Sequence, residues 1–294
     1  MNIKINNQPK KNILILGVSG MLGSTLLKYF DKNVTFNVHG TVRSLKSIDF
    51  FPTELKNSIT SSVDATNFES VINIVKLFQP ELIINCIGIV KQIASSNDPL
   101  IAIPINSVFP HKLAKLSQEQ GAKLIHISTD CVFSGSKGMY VEDDTPDAQD
   151  LYGLSKRLGE LHSQQSLTIR TSIIGHELAR GTSLIDWFLD QKDHVLGFEN
   201  AIFSGLPTVE IARIIQEYVI PFPNITGLYH LSADSISKYD LLCLVSEIYK
   251  KDIQIKRDGS LRIDRSLNSN MFRRKTGFLP LTWPKMIKLM YENR

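Results

Sequence analysis

Tyr152 and Lys156 stand four residues apart in the run Tyr152-Gly153-Leu154-Ser155-Lys156. On a helix that spacing puts both side chains on one face, so a phenol and an ammonium project together. A free phenol titrates near ~10. A neighbouring ammonium and an oxidised nicotinamide stabilise the phenolate and bring that group toward working pH. Such a tyrosine can give a proton to a carbonyl oxygen as hydride arrives at the carbon. Alone, the pair reads equally as a half-buried ring beside a surface charge. It is accompanied by Ser128-Thr129-Asp130, which closes a predicted strand upstream. Open α/β sheets bind ligands at the carboxyl ends of their strands. The Thr129 hydroxyl there can orient the same carbonyl oxygen. The catalytic candidates are Tyr152, Lys156 and Thr129.

The second chemical signal is Gly17-Val18-Ser19-Gly20-Met21-Leu22-Gly23, directly after one predicted strand and opening a helix. The first glycine permits a tight turn, the second lets the backbone approach a pyrophosphate, and the third lets helix and strand pack closely. The helix start offers unpaired N–H groups to phosphate. Gly17, Ser19, Gly20, Met21, Leu22 and Gly23 are therefore cofactor candidates. The next strand ends in Gly40-Thr41-Val42-Arg43-Ser44, where an NAD site usually carries an acid. Arg43 can instead meet a 2′-phosphate, which favours NADPH, with NADH possible. Asp64 and Ala65 lie where the chain can pass the adenine, or form an ordinary turn.

These residues need a scaffold. Ile13–Leu16 is a short apolar run ended by glycine, as in a buried strand. Further strands are predicted at 36–42, 82–87, 123–128 and 167–170, and helices at 21–30, 68–78, 110–120 and 152–162, with 134–150 a long loop. This alternation predicts an α/β fold, a Rossmann doubly wound parallel sheet covered on both faces. We assign 1–170 to an NAD(P)-binding Rossmann domain. Residues 171–294 are assigned mainly to a smaller substrate-binding lobe, with some segments returning to the sheet.

The chain has 294 residues, 33 basic and 29 acidic, so its formal charge of +4 gives no ground for a nucleic-acid partner. Its three cysteines include no CxxC pair and its seven histidines no HExxH, so no metal site is expected. No apolar run approaches the length of a signal peptide core or a membrane span. The expectation is a soluble cytoplasmic protein.

Taken together, the motifs resemble the extended short-chain dehydrogenase/reductase superfamily, and within it the dTDP-4-dehydrorhamnose reductase branch of nucleotide-sugar reductases. The resemblance rests on Gly17–Gly23, Asn85-Cys86-Ile87-Gly88, Ile105-Asn106, the run from His126 to Gly135, Tyr140–Asp144, Tyr152 with Lys156, Gly159-Glu160, and Asp264–Ser269. It implies NADPH-dependent reduction of a 4-keto group on a nucleotide-activated 6-deoxyhexose, feeding surface polysaccharide synthesis. It implies Tyr152 as proton donor, Lys156 on the nicotinamide ribose, and Thr129 in the Ser/Thr role. It adds Cys86, Ile87, Gly88 and Asn106 to the cofactor set, and implies that the neighbourhood of Asn106 helps order the active-site helix. A homodimer is a habit of the superfamily.

Two departures bear on the substrate. Thr129-Asp130-Cys131 lacks the glutamate of the related dehydratases, which disfavours dehydration. Gly88-Ile89-Val90-Lys91-Gln92 differs from the alanine-rich stretch of the dTDP-rhamnose enzymes. A UDP-2-acetamido-2,6-dideoxy-4-ketohexose therefore competes with the dTDP sugar. The candidate substrate contacts are Lys91, Thr129, Asp130, Arg170, Ser204 and Arg265. Two alternatives stand beside the reductase: an epimerase with retained NAD, opposed by Arg43, and a non-catalytic NADP-binding regulatory subunit, opposed by the intact Thr129, Tyr152 and Lys156.

Overall fold

The computed structural model describes residues 9–91, 93–179, 181 and 183–294. Six strands of the first half are β1 (Lys11–Leu16), β2 (Phe36–Thr41), β3 (Ile59–Thr60), β4 (Leu82–Asn85), β5 (Lys123–Thr129) and β6 (Ser166–Thr171). They form one parallel sheet with a seventh strand, Gly227–His230, in the order seventh-β6-β5-β4-β1-β2-β3. Strand order reverses between β1 and β4. That is the switch point of a doubly wound sheet, where a crevice opens at the carboxyl ends.

Both faces are buried, and the strand sequences say why. Ile13 and Ile15 of β1 join one apolar cluster, while Leu14 and Leu16 join the other. Alternate side chains point to opposite faces, so a strand covered on both sides must be apolar throughout. One face carries the helices Phe68–Phe78 and Phe109–Glu119 through Val71, Ile74, Leu113 and Leu116. The other carries Met21–Asp31 and, from the C-terminal half, Thr208–Ile214, Lys238–Tyr249 and Trp283–Glu292. That cluster runs unbroken from Ile13 to Met290. Small sheets complete the C-terminal half: His194–Phe198 pairs with Gln254–Asp258, and Ala201–Phe203 lies between Ile236–Ser237 and Ile263–Asp264.

Two predicted boundaries move. The helix expected to start at Pro110 is preceded by helical backbone from Pro99, passing through a π-helical turn at Ile103–Val108. Pro110 has no N–H for the carbonyl of Asn106, four residues back, and the widened turn absorbs that loss inside a continuous helix. The helix expected to reach His162 ends at Leu158, capped by Gly159.

Candidate active site

The glycine turn has the geometry that phosphate binding needs. Gly17 adopts φ +85°, and a side chain there would press into Ile87. A Cβ on Gly23 would fall on the Gly17 carbonyl oxygen, so only glycine lets the helix sit this close to the turn. Ser19 and Gly20 are exposed, and no side chain caps the Met21–Asp31 helix. Its first-turn amides are thus open to an anion. Met21 is half-buried, but the Leu22 side chain is in the core, so only its backbone can serve a ligand.

Arg43 follows β2 directly and is exposed, and no acid stands beside it at the strand end. Asp64 behaves differently. Its Oδ1 accepts from the Thr66 amide and hydroxyl, both at 2.8 Å, and its own amide donates to Ser70. That carboxylate is committed to the turn before the Phe68–Phe78 helix, the plainer of its two sequence readings. Ala65 lies half-buried in the same turn.

Beyond β4 the chain passes directly over Lys156. A Cβ on Gly88 would lie 3.7 Å from Lys156 Nζ and 3.4 Å from Asn106 Oδ1. Ile87 is half-buried against Gly17. Burial pushes the Cys86 thiol up to about 12, so it is neutral packing beside the lysine. Asn106 requires correction. It is wholly buried, its Oδ1 accepts from Ile89 N at 2.9 Å, and its Nδ2 donates to Ile89 O and to Ser155 Oγ. Both of its N–H bonds are spent inside the protein. It clamps the segment over Lys156 to the helix that carries Lys156.

Thr129, Tyr152 and Lys156 come together at the carboxyl end of β5. Asp150 caps the Leu151–Leu158 helix by accepting from Gly153 N at 2.9 Å, which places Tyr152 in the first turn of the helix. Tyr152 and Lys156 share a face of that helix. The Lys156 ammonium is buried and donates to the Ile127 carbonyl at 2.8 Å, leaving two N–H bonds for a ligand. Burial lowers it to about 8, opposed by Glu160 and Cys86. Burial and then Cys131 hold the Tyr152 phenol above its ordinary value, while the adjoining Thr129 hydroxyl pulls it down. The phenol therefore stays protonated at neutral pH, the state a proton donor requires. Thr129 is buried, accepts from Cys131 N and donates to Asp130 Oδ1, both at 3.1 Å.

The expected substrate contacts divide. Lys91 reaches Asp150 at 2.9 Å, beside the catalytic helix, and is exposed. Asp130 is buried next to Thr129, and burial raises its carboxyl against the pull of Thr129, Arg265 and Lys238. Arg265 comes from the C-terminal segment, donates from Nε to the Phe133 carbonyl at 2.8 Å, and its charge is felt at Asp130.

Arg170 and Ser204 are both turned inward. Arg170 is buried and holds Glu160 with two bonds of 2.8 Å, while its third arm meets His230 Nε2 at 3.2 Å. Three of its five N–H donors are thus committed inside the protein, and the side chain is buried. Ser204 faces inward, accepting from Leu267 N at 2.9 Å through its hydroxyl and from Ala233 N through its carbonyl. Ser204 is a strut for the segment carrying Arg265.

Two contributors escaped the sequence reading. Glu160 sits under the site, accepting from Ser128 Oγ at 2.7 Å as well as from Arg170. Lys238 is brought to the neighbourhood of Asp130 and Cys131 from the start of a C-terminal helix. Gly159-Glu160 was at least visible as a pair after Lys156; no local pattern marks Lys238. Among the described residues, no group of three or more His, Cys, Asp or Glu side chains gathers as a metal site.

The family described as RmlD substrate binding domain matches residues 11–292. Methionine adenosyltransferase 2 subunit beta of Bos taurus is 26% identical over 264 residues, covering 83% of this chain and 73% of that protein. The dTDP-4-dehydrorhamnose reductase of Escherichia coli (strain K12) is 28% identical over 253 residues, covering 82% and 79%. Among solved structures, a dTDP-4-dehydrorhamnose reductase from Bacillus anthracis in complex with NADP shares the fold with a TM-score of 0.79. It is 23% identical, with 97% of this chain and 100% of that chain covered.

Proposed function

The chain belongs to the RmlD substrate binding domain family, and from that premise we propose that it reduces the 4-keto group of a nucleotide-activated 6-deoxyhexose, using NADPH in preference to NADH. The observation that carries this reading is the meeting of Thr129, Tyr152 and Lys156 at one strand end, with the phenol protonated and the ammonium bound to Ile127. The E. coli relative, a dTDP-4-dehydrorhamnose reductase, adds support.

The residues fit a dinucleotide. The uncapped helix start and the Gly17 turn accept its pyrophosphate, and the acid-free end of β2 with exposed Arg43 suits a 2′-phosphate. The two spare N–H bonds of Lys156 suit the nicotinamide ribose. The bound cofactor supplies the hydride. Thr129 aligns the substrate carbonyl, Tyr152 gives its proton to the oxygen, and the Lys156 charge stabilises the phenolate left behind. Asn106 and Ser155 hold the helix and the overlying segment in register meanwhile.

The sugar is dTDP-linked or is a UDP-2-acetamido-2,6-dideoxy-4-ketohexose, and the product feeds surface polysaccharide synthesis in the cytoplasm. Residues 171–294 act mainly as the substrate-binding lobe. A homodimer fits the apolar exposure of Leu100, Ile103, Leu154 and Leu158 on the helices flanking the site. The test supplies both 4-keto sugar nucleotides and follows loss of reduced-nicotinamide absorbance, with NADPH and NADH in parallel. Turnover of one sugar with NADPH preferred is expected; tight cofactor binding without turnover of either contradicts it.

A second reading, a non-catalytic regulatory subunit, is favoured by the methionine adenosyltransferase subunit beta relatives. It predicts that Tyr152→Phe leaves a partner enzyme's activity unchanged.

A further inference from the structure

We propose that Lys238 binds the diphosphate of the substrate together with Arg265, closing the substrate side of the cleft opposite Thr129. This inference rests on the nucleotide-sugar reading of the same site.

Lys238 is the first residue of the Lys238–Tyr249 helix, which Ser237 caps by accepting from Asp240 N. A cation at that end of a helix adds to the positive end of the dipole and is locally unfavourable. The side chain is half-buried, and its Nζ lies 4.4 Å from the centroid of the Phe203 ring. That ring is itself buried, so it forms a fixed platform that holds the ammonium in place. No carboxylate or carbonyl of the described residues hydrogen-bonds this ammonium. A desolvated charge without a partner is costly, so it calls for an anion that arrives with a ligand.

None of the acids along this loop hydrogen-bonds the Lys238 ammonium. Asp130, which feels the Lys238 charge, is held by the Thr129 hydroxyl. Asp147 is spent on the Ser134 amide and hydroxyl, and Asp150 on Gly153 N and Lys91. Arg265 approaches the same strand end with only its Nε engaged, on the Phe133 carbonyl. Lys238 and Arg265 directly follow Ser237 and Asp264, which flank the same strand, Ala201–Phe203, and both charges are felt at Asp130 beside Thr129. An anion delivered next to the reacting sugar meets both. In a nucleotide sugar that anion is the diphosphate.

The test compares wild type, Lys238→Met and Lys238→Arg. Binding of UDP and of dTDP is measured by calorimetry, NADPH binding separately, and KM with both 4-keto sugar nucleotides. Lys238→Met is expected to weaken the nucleoside diphosphate and raise KM, each about tenfold or more, with NADPH affinity and melting temperature kept. Lys238→Arg is expected to recover most of the loss. Unchanged diphosphate affinity in Lys238→Met overturns the inference, even where KM rises. If wild type turns over neither sugar yet Lys238→Met still weakens UDP or dTDP, the reductase reading fails and the lysine assignment stands.

Discussion

Arg170 and Lys238 are both cations drawn toward the carboxyl end of the sheet, and they meet opposite environments. Arg170 is buried with Glu160 on two arms, His230 on the third and the Phe133 ring 5.2 Å beneath its guanidinium. The network continues: Ser128 donates to Glu160, and burial holds His230 down at about 3, so it stays neutral, donating from Nδ1 to the Tyr140 carbonyl. Tyr140 in turn pairs with the segment around Leu267, whose Asn268 amide donates to the same carbonyl at 2.7 Å. One closed polar chain therefore ties the strand under Thr129 to the segment bearing Arg265. Lys238 has the Phe203 ring 4.4 Å from its ammonium and, among the described residues, no hydrogen-bond partner. The satisfied cation builds the site, and the unsatisfied one is left for what enters it.

Breaking the closed network carries the largest effect. Arg170→Ala strands Glu160 without its partner, and loss of one member of a buried pair costs about 3–5 kcal/mol. Chemical denaturation is expected to show that loss, in contrast to an unmoved melting temperature for Lys238→Met. Equal destabilisation by the two variants would erase the distinction between scaffold and recognition.

The role proposed for Lys156 gives a pH signature. Lys156 titrates at about 8 in the fold, below its ordinary 10.5. The rate of reduction, as kcat/KM, is expected to be level below pH about 8 and to fall above it, as the charge that stabilises the phenolate is lost. Between about 8 and 10.5 the unfolded chain holds a proton that the folded chain has released, so this lysine's contribution to stability rises with pH across that window. A profile still level at pH 10 would remove Lys156 from the proton transfer.

The smallest effect belongs to exposed Arg43. Arg43→Ala is expected to raise KM for NADPH by roughly three- to tenfold and leave NADH nearly unchanged, since only one of them carries the 2′-phosphate. Equal shifts for the two coenzymes would move the phosphate contact elsewhere.

The half of the site that was legible in the sequence is contiguous. Gly17–Gly23 states its turn within seven positions, and Tyr152 with Lys156 needs only helical periodicity. The sheet was legible because a strand covered on both faces must be apolar throughout, as Ile13–Leu16 is. Misreadings fell where a side chain's partner lies far along the chain. Arg170 looked available because His230 joins it only through the pairing of the seventh strand with β6. Ser204 looked exposed because Leu267 covers it. Asn106 looked like a cofactor contact because its bonds to Ile89 and Ser155 arise from folding alone. Lys238 carries no motif; topology delivers it to Asp130.

The central claim is that Tyr152 is the proton donor in reduction of a 4-keto nucleotide sugar. The most direct measurement is NADPH consumption with the sugar that wild type accepts, for wild type and Tyr152→Phe side by side, with NADPH affinity measured on both. A fall in kcat of about 10²–10⁴ is expected for Tyr152→Phe, with cofactor affinity kept. Full turnover by Tyr152→Phe would contradict it.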